Sequence, residues 1–311
     1  METYAALDIG SNTFRLLIAR MDGIVQPLVV RRVITRLGAG VSRTGRITPE
    51  AETRALACLK RFSHEMLEHK VRAYRAIATA ALRNAVNAQK FVMRAENESN
   101  IIVEIVSGEE EAHLTLAGVL GFLAERKGKK LVFDVGGGST EFILCKDGRM
   151  VHAKSIALGV VDLTEQFLLE NDPPSIEARE RLTTFAKKRL SDLISDIVDE
   201  AGEVNDLIGT AGTVTTLAAM LQNMEEYDPS RINNYVIYKQ DLQSLYAHLL
   251  ALPLKDRIRL PGLEPGRADV IVAGAMLVLE AMEIFKVDQV SAIDAGLLEG
   301  TLYSMIPSFS P

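Results

Sequence analysis

The feature that most constrains the fold is a short pattern that occurs twice along the chain. An apolar run ends at an aspartate, glycine and small polar residues follow, and a second apolar run returns. The pattern stands at Asp8 and again at Asp134, 126 residues later, and Gly10 and Gly136 are separated by the same interval. It predicts two β-hairpins with polar tips. A period this long indicates a duplicated domain, because solenoid repeats span only about 20–50 residues.

Segments between and after the hairpins alternate between strand and helix patterns. In the first half, helical spacing covers 49–67, 83–96 and 109–123, and strand patterns cover 73–78 and 101–106. In the second half, helical spacing covers 175–201, 213–224, 241–251, 266–285 and 295–306, with a short strand at 206–208. This alternation predicts an α/β protein with helices on the faces of parallel or mixed sheets. A chain of 311 residues has room for about two such domains.

Composition excludes several classes of partner. Lys and Arg total 35 against 41 Asp and Glu, a net charge of −6, and there is no Trp. Such a chain lacks the broad basic surface and stacking platforms of non-specific nucleic-acid binding. The two cysteines are too few for a disulfide framework, and the longest apolar runs fall short of a membrane span. The N-terminus shows no secretory pattern, so we expect a soluble cytoplasmic protein without nucleic-acid or membrane partners.

Glycine-rich turns suggest a grip on phosphate. Each hairpin tip, 8–13 and 134–141, offers small residues and backbone N–H groups that can cradle an anion. Either tip alone could be an ordinary tight turn. The three consecutive glycines 136–138 favour a close approach of backbone to ligand. A third turn, 209–213, precedes a helix and could bind an anion or serve only as a strand-to-helix connection.

Two basic stretches remain open to interpretation. Arg31, Arg32, Arg36, Arg43 and Arg46 follow the first hairpin, and residues 126–130 precede the second. Either stretch could be a solvated face or could guide a long anion by electrostatic steering.

Six strings in order along the chain resemble one protein family. They are DIGSNTFR (8–15), ATAALRNAVN (78–87), EIVSGEEEA (104–112), DVGGGSTEF (134–142), GTAGT (209–213) and DAGLLEG (294–300). Together they resemble the exopolyphosphatase / guanosine pentaphosphate phosphohydrolase family, in its short two-domain form. The resemblance implies two actin-like (ribonuclease H-like) α/β domains with a cleft between them. We place the first at 1–124 plus a C-terminal helix at about 299–311, and the second at 125–298.

The resemblance also implies roles for individual residues. Glu111 matches the catalytic glutamate, and Asp8, Asp134 and Glu141 match a Mg²⁺ site. The implied phosphate-binding residues are Gly10, Ser11, Asn12, Arg15, Arg83, Gly136, Gly137, Gly138, Ser139, Gly209, Gly212, Thr213 and Arg267. Without the resemblance, the acidic run 109–111 is a solvated helix start. On the same reading, Arg15 and Arg267 form structural ion pairs.

The function implied is Mg²⁺-dependent release of terminal phosphate from inorganic polyphosphate, guanosine pentaphosphate, or both. Mn²⁺ is an alternative divalent ion, and a monovalent-cation requirement stays open. One alternative is a sensor that binds polyphosphate or guanosine penta- or tetraphosphate with little turnover. Another is an actin-like kinase that uses ATP. A homodimer is implied by the resemblance alone.

Overall fold

The structure, a computed structural model of the chain, describes residues 2–21, 25–202, 204 and 206–305. The chain divides into two compact units, one comprising Met1–Gly121 with Gly296–Pro311 and the other Phe122–Ala295. The last part of the predicted C-terminal helix, 306–311, lies outside the described residues. Within the described ranges, no helix is both long and apolar enough to cross a membrane.

The first unit combines one sheet with short and long helices. Its elements up to the end of the first segment are β1 (Glu2–Ile9), β2 (Thr13–Met21), β3 (Val25–Ile34), α1 (Val41–Thr44), α2 (Pro49–Glu68), β4 (Ala73–Ala78), α3 (Ala80–Asn84), α4 (Ala88–Ser99), β5 (Val103–Ile105) and α5 (Gly108–Leu120). The sheet order is β3-β2-β1-β4-β5. The first three strands are antiparallel neighbours, and β1, β4 and β5 run parallel. An apolar core beneath the sheet includes Leu7, Phe14 and Leu59.

The second unit holds a larger sheet. Its elements are β6 (Lys129–Val135), β7 (Thr140–Lys146), β8 (Arg149–Ile156), α6 (Val160–Phe167), α7 (Ile176–Ala201), β9 (Asp206–Thr210), α8 (Ala211–Leu221), α9 (Pro229–Ile232), β10 (Tyr235–Tyr238), α10 (Lys239–Ala251), α11 (Leu254–Arg257), a 3-10 turn (Pro265–Arg267), α12 (Ile271–Ile284) and β11 (Gln289–Ala292). Its order is β10-β11-β9-β6-β7-β8. The chain then returns to the first unit as α13 (Leu297–Tyr303).

The two sheets confirm the duplication. Reading β8-β7-β6-β9-β11 gives the same sequence of antiparallel and parallel neighbours as β3-β2-β1-β4-β5, and β10 is an added antiparallel edge strand. The register agrees as well, because Asp8 lies opposite Arg15 and Asp134 lies opposite Glu141. The predicted fold class of two actin-like (ribonuclease H-like) α/β domains is therefore confirmed by the strand order of each unit.

Several predicted elements differ from the structure. The helix predicted at 83–96 is broken into α3 and α4, because the Asn87 side chain between them bonds the backbone N–H of Ile47 at 2.9 Å and its carbonyl at 3.0 Å. The helix predicted at 266–285 begins only at Ile271. The strand predicted at 101–106 shortens to β5. Sequence patterning missed β3, β8, β10 and β11; the first three lie at sheet edges, whereas β11 lies between β10 and β9.

Helix α13 joins the first unit through two glycines. A Cβ on Gly118 of α5 would stand 1.9 Å from the Gly296 carbonyl oxygen, and one on Gly300 would stand 1.7 Å from that of Leu114. The backbones of α5 and α13 therefore touch directly, which only glycine permits at these positions. Leu298 and Leu302 of α13 then pack under β1 and β2.

We expect Gly300→Ala to destabilise the protein by about 1–3 kcal/mol through overpacking. At an unhindered helical site, the same change would stabilise by about 0.4–1 kcal/mol. Urea unfolding measures the difference. The matched control is His113→Ala at an exposed position of α5, with an expected change below about 0.5 kcal/mol. A Gly300→Ala protein as stable as the wild type would contradict the close backbone contact.

Candidate active-site residues

The first hairpin tip is a buried polar turn at the end of β1. The Gly10 N–H donates to the Thr13 carbonyl at 3.2 Å, and a Cβ at Gly10 would stand 2.8 Å from that oxygen. Ser11 and Asn12 are buried, and the Asn12 Nδ2 is buried without an acceptor among the described residues. Buried amide donors are rarely left unsatisfied, and a ligand oxygen would complete this one. The conformation of the tip is thus stabilised by its own backbone hydrogen bond, and the Asn12 amide is left as a donor for an anion.

Asp8, at the base of this tip, has an unusual environment. Burial raises the pKa of its carboxyl from the ordinary 3.8 to about 6. The Arg15 guanidinium opposes this rise in pKa, and the Glu299 carboxylate adds to it. Glu299 belongs to α13, where its Oε2 accepts from the Gly296 N–H at 2.8 Å. The C-terminal helix therefore sets part of the electrostatics at Asp8.

Glu111 and Arg83 form an ion pair in the first unit. The Arg83 Nη1 lies 2.7 Å from the Glu111 Oε2 and also donates to the Val106 carbonyl at 3.1 Å. Glu111 is only 5% exposed, although it lies in the first turn of α5. The reading of the whole acidic run as a solvated helix start is wrong for this residue, because the helix turns Glu111 inward while Glu109 faces solvent. A buried carboxylate beside a guanidinium can accept a proton next to a bound phosphate.

A second arginine supports the same helix start, and sequence reasoning missed it. Arg75 of β4 donates from Nε to Glu104 at 3.0 Å and from Nη1 to the Ser304 hydroxyl at 3.2 Å, and it also bonds Glu110. Ser107 caps α5 by accepting from the Glu110 N–H at 3.1 Å. The turn that presents Glu111 is thus held from two sides. The signal available in the sequence was a lone arginine inside the otherwise apolar strand 73–78.

In the second unit, the hairpin brings two carboxylates together. Asp134 and Glu141 are opposite neighbours on β6 and β7, so their side chains lie on one face of the sheet. They are 8% and 1% exposed, and the Glu141 Oε1 accepts from the Ser155 hydroxyl at 2.7 Å. Glu141 therefore does not lie at an exposed edge of the sheet. The buried position agrees with a carboxylate recruited to a site.

Some glycines of the second unit are explained by turn hydrogen bonds and close packing within the fold, without reference to a ligand. The Gly136 N–H donates to the Ser139 carbonyl at 2.9 Å, which repeats the turn at Gly10. The Gly137 carbonyl accepts from the Val161 N–H at 2.8 Å. A Cβ on Gly209 would stand 2.7 Å from Val214, so this glycine serves packing inside β9. Gly138 follows in the same tip, between Gly137 and Ser139.

The third glycine-rich turn packs against an arginine. A Cβ on Gly212 would stand 2.3 Å from the Arg267 Nη1, so the absent side chain makes room for the guanidinium. Arg267 is 8% exposed and its Nε donates to Glu264 at 2.9 Å, which confirms the expected structural ion pair. Helix α8 begins at Ala211, and the Thr213 hydroxyl donates to the Val135 carbonyl at 2.8 Å. The turn thereby joins the Arg267 segment to the end of β6.

Backbone strain marks the same turn. Ala211 has a φ of 60°, in the left-handed region that alanine rarely adopts. Such residues persist where the surrounding structure holds them, and they cluster at ligand-binding sites.

Carboxylates suited to the predicted Mg²⁺ lie at the second hairpin tip. Among the described residues, no group of three or more His, Cys, Asp or Glu side chains is arranged to hold a metal ion. Mg²⁺ commonly binds one or two carboxylates together with water and substrate phosphate. The neighbouring carboxylates of Asp134 and Glu141 fit that requirement, and Asp8 lies in the first unit among its own neighbours.

The duplicated α/β fold, the polar glycine turns at both hairpin tips and the buried Arg83–Glu111 pair are together typical of enzymes that process phosphate groups. The chain belongs to the Ppx/GppA phosphatase family, whose model matches residues 17–309. Exopolyphosphatase 2 of Mycobacterium tuberculosis is 33% identical over 97% of this chain and 98% of its own length. A guanosine-5'-triphosphate,3'-diphosphate pyrophosphatase of Vibrio parahaemolyticus is 29% identical over 97% of this chain, which spans 59% of that protein. These relatives are phosphoanhydride hydrolases, and this chain is an enzyme of that type.

Solved structures agree in fold. The Ppx/GppA family member of Aquifex aeolicus has a TM-score of 0.82 and 33% identity, covering 99% of both chains. An exopolyphosphatase from Cytophaga hutchinsonii has a TM-score of 0.89 and 28% identity, covering 98% of this chain and 97% of its own. The similarity extends over both units rather than one.

The raised pKa of Asp8 predicts how stability depends on pH. Burial penalises the ionised carboxylate, so the contribution of Asp8 to stability falls as pH rises from 3.8 through about 6 and stays reduced above that. We expect Asp8→Asn to raise the free energy of unfolding by about 1–3 kcal/mol near pH 7.5, with the gain vanishing near pH 4. Denaturant unfolding at both pH values measures it. Asp199→Asn, at an exposed position of α7, is the control, and an Asp8→Asn gain independent of pH would contradict the assignment.

Proposed function

We propose that this protein is a Mg²⁺-dependent phosphohydrolase that removes terminal phosphate from inorganic polyphosphate, guanosine pentaphosphate, or both. The observation that carries the proposal is the buried Glu111 carboxylate held 2.7 Å from the Arg83 guanidinium. The names of the relatives supply the two substrate classes. The homodimer and the cytoplasmic location stay predictions.

The reaction needs an attacking water, a group to accept its proton, and positive charge around the phosphate. In the proposal, a water oxygen bonds to the terminal phosphorus and Glu111 accepts the proton. The bridging P–O bond breaks, releasing inorganic phosphate and a chain one unit shorter. Arg83 can bind two phosphate oxygens at once, and the Asn12 amide donates to another. Such positioned donors stabilise the developing charge.

Divalent metal is assigned to the second unit. Asp134 and Glu141 would hold Mg²⁺, whereas the role of Asp8 as a ligand is implied by the family resemblance alone. When bound, the ion neutralises charge on the phosphate oxygens. The protein's own part is to keep two hard oxygen donors adjacent and buried on one sheet face. The Ser155 hydroxyl orients Glu141 from β8.

The alternative is a sensor that binds the same ligands without turnover. The placement of Glu111 favours hydrolysis, because a purely binding site for a polyanion gains nothing from a buried carboxylate beside its phosphate-binding arginine. A sensor would bind polyphosphate or guanosine pentaphosphate tightly and release no phosphate.

Glu111→Gln keeps the size of the side chain and an oxygen that can accept from Arg83, but removes the proton acceptor. We expect phosphate release from tripolyphosphate, long polyphosphate and guanosine pentaphosphate, assayed side by side, to fall at least about 100-fold in kcat. Glu109→Gln, in the same helical turn and exposed, is the matched control and should keep wild-type activity. Wild-type turnover in Glu111→Gln removes this residue from the mechanism. Tight binding without release by the wild type establishes the sensor instead.

Asp134→Asn and Glu141→Gln are expected to abolish the stabilisation of the protein by Mg²⁺. Ligand that binds only the folded state raises the unfolding temperature in a concentration-dependent way. Thermal unfolding of the substrate-free protein across a Mg²⁺ titration measures this without reference to activity. Asp192→Asn, an exposed carboxylate of α7, is the control. A variant that retains the full Mg²⁺-dependent shift contradicts the assigned ligand.

A further inference from the structure

The loop between β3 and α2 is positively charged. The segment 31–48, which comprises the end of β3 and this loop, has five arginines and no acidic residue. Arg43 in α1 and Arg46 just after it are both exposed, and neither side chain has an ion-pair partner among the described residues. Arg31 of the same stretch is instead paired with Glu65 at 2.9 Å. The charge of Arg43 and Arg46 is therefore available to a ligand.

This loop is tied directly to the first hairpin tip. The Asn12 carbonyl accepts from the N–H groups of Thr35 at 3.0 Å and Arg36 at 2.9 Å. The Ser11 carbonyl accepts from the Gly38 N–H at 2.7 Å, and a Cβ on Gly38 would stand 2.8 Å from the Ser11 Cβ. The loop is therefore hydrogen-bonded to the tip that presents the unsatisfied Asn12 amide.

The other end of the loop is tied to the segment that follows Arg83. The Val86 N–H donates to the Gly45 carbonyl at 2.9 Å, and the Asn87 side chain bonds both backbone groups of Ile47. Residues 36–47 therefore bridge two elements that carry candidate phosphate ligands, Asn12 and Arg83. Arg43 and Arg46 lie on that bridge.

The shape and composition of the bridge suit a flexible anion without bases. Gly40 and Gly45 flank α1 in the left-handed conformation, and a Cβ at either would meet nothing within 4 Å. Residues 35–48 include no Phe, Tyr or Trp, so there is no platform on which a nucleobase could stack. The backbone at Gly40 and Gly45 is accessible, the guanidinium groups of Arg43 and Arg46 have no ion-pair partner among the described residues, and no aromatic residue is nearby in sequence. These features favour binding of a condensed phosphate chain over a nucleotide or nucleic acid.

We infer that Arg43 and Arg46 form an auxiliary subsite for the distal part of an inorganic polyphosphate chain whose terminal phosphate is held by Asn12 and Arg83. This inference rests on the proposed function and deepens it, because it favours long inorganic polyphosphate as the substrate. Arginine binds phosphate oxygens through a charge-assisted fork. A chain long enough to reach the bridge gains these contacts, and tripolyphosphate gains fewer.

The test is the double charge reversal Arg43→Glu/Arg46→Glu, with Arg43→Gln/Arg46→Gln as a milder variant. For long polyphosphate we expect KM to rise about tenfold more than for tripolyphosphate or guanosine pentaphosphate, which corresponds to about 1.4 kcal/mol. The salt dependence of the long-chain KM should also weaken, because fewer ionic contacts remain. Lys90→Glu, an exposed change of the same sign in α4, is the control and should leave all three KM values unchanged.

Two results would overturn the inference. One is an equal change in KM for long and short substrates, or no change. The other is displacement of long polyphosphate from the wild-type protein by single-stranded RNA at equal phosphate concentration, which would assign the surface to nucleic acid. Direct binding of long polyphosphate to the wild type and both double variants keeps the test separate from catalysis. If the wild type releases no phosphate, the proposed function fails, while a loss of binding confined to the double variants still supports the subsite.

Discussion

Antiparallel pairing across the two hairpin tips is the constraint on which the remaining structure depends. Once β1 pairs with β2, the residue before the tip must face the residue after it, so Asp8 is held opposite Arg15. The same register in the second unit holds Asp134 opposite Glu141. Duplication thus produced two equivalent positions with different chemistry. In the Asp8–Arg15 pair the two opposite charges offset each other. In the Asp134–Glu141 pair two buried carboxylates lie on one face of the sheet, an arrangement that favours binding of a cation.

The first unit depends equally on a segment from the far end of the chain. Direct backbone contact at Gly118 and Gly300 lets α13 lie against α5 closely enough to bring Glu299 to Asp8. The charge at the first tip is therefore determined partly by a residue almost three hundred positions away in sequence. In the same unit, Arg75 bonds the start of α5 and the hydroxyl of Ser304. The Arg75 guanidinium thus connects the helix that carries Glu111 to Ser304, the residue that follows α13.

Much of the fold could be predicted from sequence because its signals are local. The strand 73–78 and the helix 49–67 are specified by short-range patterning, and they match the structure closely. The break between α3 and α4 was not predictable in this way. It depends on Asn87 satisfying the backbone of Ile47, and that partner comes from another part of the chain. The edge strand β3 was not predicted because most of its residues are exposed or half-buried, so its sequence shows little alternation between apolar and polar residues.

The sequence by itself determined which residues carry chemistry: the repeated Asp–Gly tips, the acidic start of α5 and the glycine-rich turns are all visible in its letters. Only the tertiary structure decided what each of them faces. Glu111 is buried against Arg83 while Glu109 faces solvent, although the two stand in one acidic run. Gly209 and Gly212 look alike in sequence, yet one packs against Val214 and the other against Arg267. The physical reason is that residue type and local periodicity are properties of the chain, whereas burial, ion pairing and close backbone approach arise from segments that meet only in the folded protein.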